Sequence, residues 1–434
     1  MSGVIHTAPL VVPISRPPVR DGAVAVRGGR VVAVGPRREV LSGGGEEVRW
    51  PGVIVAGLVN AHTHLQFTRM AEVGRQVYDS FEEWSNAFDA VYFSSAGADW
   101  AAGAREGARL ALRHGTTAVA DVVTDIEAMP VPAQAGLAGI SYLEVLGDTD
   151  ESWQRTGRDH FVSTVGRLRG SEGMVGISPH APYTLDTGVL ADLAVLARRF
   201  RLRQHIHLLE SAHEREYTVS GTGPIAQLVR ELGFDFEILR AGGTGHGPVA
   251  FLDKLGLLGP HCHVAHGVHL DAEERALLRE RGVSVALCPR SNRTLGLDGP
   301  PVAALLSEGN PIAVGTDSLA SSPSLDLLED VRVLHALARE QGYREPDLAR
   351  RLVEAATAGG ARALGLDGGP GRIGCLEAGT RGDFAVFGVD PDERDPYRTL
   401  IEDGPGRCVA TVTAAHRNGR VHIVNPATEP RRGC

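Results

Sequence analysis

The chain has 434 residues, of which 43% are hydrophobic and 22% charged, so a fibrous or disordered protein is excluded. Its 44 Lys and Arg residues against 53 Asp and Glu residues give a net charge of −9, and we expect no nucleic-acid or membrane partner. No run approaches the ~18 apolar residues of a membrane span. The N-terminus lacks a signal-peptide pattern, and five scattered cysteines include no Cys-x-x-Cys pair, which together predict a cytoplasmic protein.

Both ends of the chain have the pattern of β structure. Residues 22–35 alternate apolar and polar positions around a Gly-Gly turn, which is typical of a β-hairpin. Residues 383–387 and 408–424 repeat the pattern, the latter with a predicted turn at Asn418-Gly419. We expect the two ends to pair into one small β-sandwich domain.

Between the ends, short apolar runs alternate with longer helical stretches. The eight runs are Val53 to Leu65, Thr116 to Val123, Ala138 to Leu146, Met174 to Tyr183, Leu202 to Glu210, His261 to Leu270, Ser284 to Asn292 and Ile312 to Ser318. They predict a TIM-type (β/α)8 barrel over residues 53–371, with residues 1–52 and 372–434 forming the end domain. The alternative is an open doubly wound sheet, but no Gly-x-Gly-x-x-Gly follows the first run.

Histidines and acidic residues follow several predicted strands at their carboxyl ends. In a barrel, the loops at that face build the active site. Histidines two apart on a strand point to the same face, so His62 and His64 are expected to turn toward the barrel axis together. With His207 and Asp317 they supply three nitrogens and one carboxylate, a set that suits Zn²⁺ or Fe²⁺.

Five motifs in order, GLVNAHTHL, HIHLLE, VAHGVHL, CPRSN and GTDS, resemble those of the amidohydrolase superfamily. The resemblance is to its branch of mononuclear aminohydrolases and chlorohydrolases, and it covers nearly the whole chain. It implies metal ligation by His62, His64, His207 and Asp317. It also implies proton transfer by Glu210 and His266.

The resemblance further implies one metal ion per chain. Binuclear members carry a carboxylated lysine after a mid-barrel strand, whereas the single lysine here, Lys254, precedes the sixth predicted strand. We expect zinc, with iron as the alternative. A metal-free structural or binding homologue is the other class of protein to consider, but it requires broken motifs, and all of these positions are filled.

The same residue types suit hydrolytic deamination. A bound divalent cation lowers the pKa of water, which yields a hydroxide able to attack a ring carbon that carries an amino group. Asp317 is then placed to accept the proton of the water, and His266 to orient the hydroxide. Glu210 is expected to protonate the neighbouring ring nitrogen, so that ammonia leaves.

Several residues are candidates for substrate contact. His180 lies at the end of the fourth strand, and Trp84 lies in a helix-like segment where an aromatic residue also fits a core position. The resemblance suggests substrate contact for both, and we add Ser321, which follows Asp317 closely.

The expected substrate is a purine nucleoside. The chain resembles the group that includes methylthioadenosine/S-adenosylhomocysteine deaminases and aminodeoxyfutalosine deaminase. Members that take S-adenosylhomocysteine use arginines after the third strand, where this chain has the acidic segment EVLGDTDESWQ, and their acidic contact to ribose has no match beyond Asp89. These departures disfavour the thioether substrates.

We therefore expect deamination of 6-amino-6-deoxyfutalosine in menaquinone biosynthesis, with Arg290 or Arg69 binding its carboxylate. The alternatives are a methylthioadenosine, S-adenosylhomocysteine or adenosine deaminase, and a guanine-type deaminase or chlorohydrolase. We also expect a homodimer.

Overall fold

The computed structural model describes residues 3–170, 173–391, 395–414, 420–423 and 431–432. The predicted turn at Asn418-Gly419 lies outside them. The strands are β1 (Val4–Val12), β2 (Val19–Arg27), β3 (Arg30–Pro36), β4 (Glu46–Arg49), β5 (Val53–Ala56), β6 (Leu58–Thr63), β7 (Thr116–Val123), β8 (Ala138–Val145), β9 (Met174–Pro179), β10 (Gln204–Leu208), β11 (Cys262–His266), β12 (Ser284–Leu287), β13 (Ile312–Val314), β14 (Phe384–Phe387), β15 (Cys408–Thr413), β16 (Arg420–Ile423) and β17 (Arg431–Arg432).

The α-helices are α1 (Arg37–Leu41), α2 (Phe81–Ser94), α3 (Trp100–Arg113), α4 (Val131–Ala135), α5 (Asp150–Ser152), α6 (Arg158–Leu168), α7 (Thr187–Phe200), α8 (Ala212–Ser220), α9 (Gly223–Glu231), α10 (Glu237–Ala241), α11 (Pro248–Lys254), α12 (Ala272–Glu280), α13 (Pro289–Thr294), α14 (Val302–Glu308), α15 (Leu327–Glu340), α16 (Leu348–Glu354), α17 (Gly360–Ala363) and α18 (Pro396–Asp403). Short 3₁₀ turns cover Leu65–Met70, Val73–Arg75 and Ile126–Ala128, and π turns cover Trp153–Gly157 and Ala355–Gly359. Among the residues described, no helix combines the length and the apolar character needed to cross a membrane.

The predicted barrel is confirmed. Strands β6 to β13 form one parallel sheet in chain order, and each of the eight predicted runs contributes one of them. The last segment returns to the first, since Asp317 N donates to His62 O at 3.0 Å just beyond β13. Small side chains such as Ala61, Ala118 and Ala120 are fully buried in the cluster that fills the barrel.

The first predicted strand is two strands in different sheets. β5 pairs with β1 and β14, whereas β6 begins at Leu58 and pairs with β7. Gly57 joins them, and a Cβ there would lie 2.0 Å from Thr117 Oγ1, so the close approach of the chains requires glycine. The end sheet therefore extends to Ala56, beyond the expected boundary at residue 52. The uninterrupted apolar run concealed the break.

Both chain ends form one mixed sheet, as expected. β5 lies between β1, to which it is parallel, and β14, to which it is antiparallel. Alternate residues of β5 point to opposite faces, so Val53 and Val55 pack with the barrel core while Ile54 and Ala56 pack with Phe384 on the other face. The apolar inner face therefore fixes the end sheet to the barrel.

Candidate active site

The four predicted metal ligands lie together at the carboxyl end of the barrel. His62 is in β6, His64 follows it, His207 is in β10, and Asp317 lies three residues beyond β13. His62 Nε2 is 3.4 Å and His64 Nε2 is 3.7 Å from Asp317 Oδ1, and His64 Nε2 is 3.3 Å from His207 Nε2. All four side chains are buried.

This cluster fits a divalent cation. Two nitrogens bound tetrahedrally to zinc at about 2.0–2.1 Å lie about 3.3 Å apart, which matches the separation of His64 and His207. His62 Nε2 is buried, and it has no hydrogen-bond partner in the part of the chain that the structure describes. Burial lowers the pKa of His207 to about 3 and the pKa of His64 well below its usual value, so both rings keep a lone pair for a metal.

Other groups orient the histidine ligands. His62 Nδ1 lies 2.7 Å from His205 Nε2, and His207 Nδ1 donates to His180 O at 3.1 Å. His205 in turn stacks on His263, with ring centroids 3.9 Å apart. These contacts occupy one nitrogen of His62 and one of His207, which leaves the Nε2 atom of each for the cluster.

Asp317 is held by hydroxyl and backbone donors. Its Oδ2 accepts from Ser291 Oγ and Ser321 Oγ, both at 2.7 Å, and its Oδ1 accepts from Ser318 N at 2.7 Å. Burial by itself raises the pKa of the Asp317 carboxyl, but the neighbouring histidines, His62 foremost with His64 and His266, together outweigh burial and hold the pKa well below its usual range. Ser321 therefore positions Asp317 and does not line the pocket, which corrects its expected role as a substrate contact.

Glu210 and His266 form a second pair beside the cluster. His266 Nδ1 lies 3.4 Å from Glu210 Oε1 and accepts from Asn292 Nδ2 at 3.2 Å. Burial raises the pKa of Glu210 well above its usual value, so this carboxyl keeps its proton to a higher pH than an exposed glutamate. His266 and Asp317 both have positive φ, 69° and 59°, a strained conformation that is typical of functional positions.

A cavity of about 220 Å³ opens above the cluster. Its floor contains His64, His207, Glu210, His266 and Asp317. Its wall is mostly apolar and includes Phe67, Phe81, Trp84, Phe88, Tyr92, Phe93, Leu146, Tyr183, Leu228, Val229 and Leu232. Such a pocket suits a flat ligand with an apolar extension.

Helix α2 supplies much of the wall. Trp84 lies on this helix, as the sequence predicts. Trp84 and His180, which follows β9, both line the pocket. Trp84 Nε1 donates to Ala320 O at 2.9 Å, and Tyr92 OH donates to Asp125 Oδ2 at 3.2 Å. These two hydrogen bonds fix α2 over the cavity.

The structure corrects the expected role of the two arginines. Arg290 is 4% exposed, and its guanidinium donates to Asp330 Oδ2 at 2.8 and 3.0 Å and to Ser324 at 2.8 Å, so it packs under α15. Arg69 is exposed, and its stem lies beside Gly103 on α3. Within the described part of the chain, no arginine or lysine lines the pocket.

Four polar residues of the site were not singled out from the sequence. They are Thr124, Glu144, Ser291 and Asn292. Glu144 lines the pocket near the end of β8, and its Oε2 accepts from Thr124 Oγ1 at 2.6 Å. The signal that revealed the ligands, a polar residue at the carboxyl end of a barrel strand, applies equally to Glu144.

Comparison with known proteins places this site in a family. The sequence profile of the Amidohydrolase family matches residues 53–421. The chain belongs to this family. It is 32% identical over 409 residues to a 5-methylthioadenosine/S-adenosylhomocysteine deaminase of Moorella thermoacetica, which covers 89% of this chain and 85% of the relative.

Two solved structures are similar to this amidohydrolase. One is an adenosine deaminase from Xanthomonas campestris with bound zinc, with a TM-score of 0.76, 27% identity and coverage of 96% of this chain and 92% of the other. The other is Helicobacter pylori aminofutalosine deaminase in complex with methylthio-coformycin, with a TM-score of 0.81, 20% identity and coverage of 95% and 99%. The latter bears on the fold alone. The predicted enzyme class, a hydrolytic deaminase acting on C–N bonds, is confirmed.

Proposed function

We propose that this amidohydrolase is a zinc-dependent deaminase of adenine-type nucleosides, which replaces the 6-amino group with oxygen and releases ammonia. The observation that carries the proposal is one pocket whose floor combines the metal-ligand cluster with the buried carboxyl of Glu210. The ligand set also supports zinc, as does the zinc bound to the Xanthomonas relative.

Each floor residue has a chemical task in this proposal. The bound cation supplies a nucleophile near neutral pH by lowering the pKa of water. Asp317, held ionised by its contacts, would accept one proton of that water and pass it to the departing amino group, which leaves as ammonia, while His266 would orient the water from the other side of the floor. Glu210 donates its proton to the ring nitrogen beside the carbon that carries the amino group, so negative charge does not build up on the ring. The second proton of the water would return to Glu210 as the C–O double bond forms.

One ion per chain remains our proposal. The described residues contain three potential ligand groups, and each shares a histidine with another. His62, His64 and His207 share His62 with the group formed by His62, His266 and Asp317, and they share His207 with the group formed by Glu144, His180 and His207. An ion held by the proposed ligands therefore leaves a second ion only the shared imidazole of His207, whose Nδ1 is already bonded to His180 O. The expected homodimer stays a prediction.

The wall of the pocket supports a nucleoside with an apolar 5′ arm. The aromatic side chains suit the aryl ketone of 6-amino-6-deoxyfutalosine, and we propose this nucleoside as the first substrate to test. Since no cation lines the described pocket, its carboxylate has to stay in solvent at the pocket mouth. The second candidate is 5′-methylthioadenosine, which needs no cation and appears in the name of the Moorella relative.

The test is ammonia release from a panel of purified substrates. It compares kcat/KM for 6-amino-6-deoxyfutalosine, 5′-methylthioadenosine, S-adenosylhomocysteine and adenosine, with guanine and a chlorinated triazine as controls. We expect kcat/KM for 6-amino-6-deoxyfutalosine and for 5′-methylthioadenosine to exceed that for adenosine by about 10-fold or more, because the pocket buries their apolar 5′ arms. Preferential turnover of guanine or of the triazine contradicts the proposal.

A further inference from the structure

One carboxylate oxygen in the pocket wall lacks a partner. Glu144 Oε1 is buried and accepts no hydrogen bond from any described residue, although the side chain lines the cavity. A buried polar atom without a partner is costly, and native structures retain few of them. An unsatisfied acceptor that faces a substrate pocket therefore indicates a donor on the substrate.

The position of this oxygen is fixed from behind. Thr124 Oγ1 donates to Glu144 Oε2 at 2.6 Å, and Thr124 N donates to Gln66 Oε1 at 3.1 Å. Gln66 Nε2 in turn donates to Asp125 Oδ2 at 2.7 Å. The carboxylate is thus held in place before substrate binds, as a recognition group requires.

The strand order places Glu144 beside the metal-ligand cluster and away from the pair formed by Glu210 and His266. Glu144 belongs to β8 and His266 to β11, on opposite sides of β10, which carries His207. A potential ligand atom of Glu144 lies within 4.8 Å of those of His180 and His207. Glu144 therefore lies next to the cluster, on the side away from the pair formed by Glu210 and His266.

The chemistry of an adenine-type nucleoside leaves few donors for this oxygen. Apart from its 6-amino group, which must face the metal cluster and Glu210, the nucleoside donates only through sugar hydroxyls. We propose that Glu144 Oε1 accepts a hydrogen bond from a ribose 2′- or 3′-hydroxyl and makes the enzyme selective for ribosides. This inference rests on the proposed function.

Asp89 on α2 is the rival acidic group. It also lines the pocket, but its side chain is only half-buried, so water satisfies its oxygens without substrate. By contrast, Glu144 Oε1 is itself buried, and no protein group in the described ranges donates to it. We therefore expect replacement of Glu144 to reduce the preference for ribosides, and replacement of Asp89 to leave it unchanged.

The experiment measures kcat/KM for adenosine, 2′-deoxyadenosine and 3′-deoxyadenosine. Burial raises the pKa of Glu144 to about 7, so the assay is run at about pH 8, where this carboxyl is mostly ionised. We expect the wild type to prefer adenosine over at least one deoxy form by about 10- to 100-fold, the range for a hydrogen bond to a charged group. Glu144→Leu should reduce that ratio to less than about 3-fold by losing activity on adenosine alone. Glu127→Leu, at an exposed glutamate outside the pocket, is the matched control and should keep the ratio.

Metal content and the thermal midpoint of each variant show whether it is folded. If Glu144→Leu is not folded, Glu144→Gln is measured in its place. We expect this variant to prefer adenosine over the deoxy form by an intermediate ratio, because the amide keeps one weaker acceptor. Three results would overturn the inference while the proposed deamination stands. They are a wild type that does not prefer ribosides, an unchanged ratio of adenosine to deoxyadenosine activity in the folded Glu144 variant, and loss of that ratio in Asp89→Asn. If the wild type deaminates no nucleoside, the proposed function itself is wrong.

Discussion

The floor and the wall of the pocket are built differently. The floor residues come from strand ends, and His266 and Asp317 are only 1% and 6% exposed, each held by defined partners. The wall comes largely from helices and loops, and Phe93 and Leu232 are 69% and 51% exposed. The difference indicates that the reaction is fixed by the barrel, whereas the choice among substrates depends on more exposed segments that lie over it.

The largest effect is expected from the metal ligands of the floor. His62→Ala or His207→Ala should remove most of the metal and lower turnover by ~10³-fold or more, since the cation contributes several kcal/mol to the reaction. Elemental analysis and ammonia release measure both quantities. His261→Ala, at the opposite end of β11 from the site, is the control and should retain about one equivalent. One equivalent in both ligand variants would refute the ligand assignment.

The next largest effect is expected at Glu210. Glu210→Gln should keep the metal and lower kcat by about 10²- to 10⁴-fold, because an amide hydrogen-bonds the ring but delivers no proton. Burial raises the pKa of Glu210, so the wild type loses this proton, and with it activity, as pH rises through that pKa. The variant should lack this alkaline decline. Turnover within a few-fold of wild type would assign the proton transfer to another group, with His266 tested first.

The next prediction tests whether Arg290 supports the floor from behind or binds substrate. Arg290→Met leaves Asp330 buried without its partner, and we expect a loss of about 3–5 kcal/mol in stability, seen as a lower thermal midpoint. The double variant Arg290→Met/Asp330→Leu should recover part of it. Since Arg290 supports the floor and does not face the pocket, kcat/KM should change equally for 6-amino-6-deoxyfutalosine and adenosine. A selective loss on the carboxylated nucleoside would restore Arg290 to substrate recognition.

The smallest effect is expected in the wall. Phe88→Ala should raise KM about 10-fold for nucleosides with an apolar 5′ arm and leave kcat nearly unchanged, because it removes apolar contact that ground and transition states share. Phe93→Ala, at a more exposed wall position, serves for comparison and should change KM by about 3-fold or less. A fall in kcat without a change in KM would show that the wall participates in the chemical step.

The sequence predicted the floor better than the wall for a physical reason. A barrel strand places its last polar residues at one face, so His62, His64, His207 and Asp317 could be grouped from their spacing alone. Side chains on the inserted segments depend on how those segments pack. Arg290 follows β12 and looked available for substrate, yet its direction is set by Asp330 on α15, forty residues away in the chain.

The fold shows the same limit. Apolar periodicity located all eight barrel strands, but it cannot detect a change of sheet within one apolar run, as between β5 and β6. Only the close approach of Thr117 to Gly57 shows where the chain passes between the sheets. Glu144 could have been chosen from the sequence, because it is a polar residue at the carboxyl end of a barrel strand. That its Oε1 accepts no hydrogen bond from the described residues can be seen only once the donors around it have been located.

The pairing of β5 with β14 has a consequence for biosynthesis. These strands flank the barrel in the chain, so the ribosome releases β5 long before its antiparallel neighbour exists. Until then the backbone groups along one edge of the apolar strand β5 are unpaired, and a nascent chain in this state is prone to aggregation. We expect the end sheet to be completed late in folding, in a step that joins β5 to β14 across the intervening barrel segment.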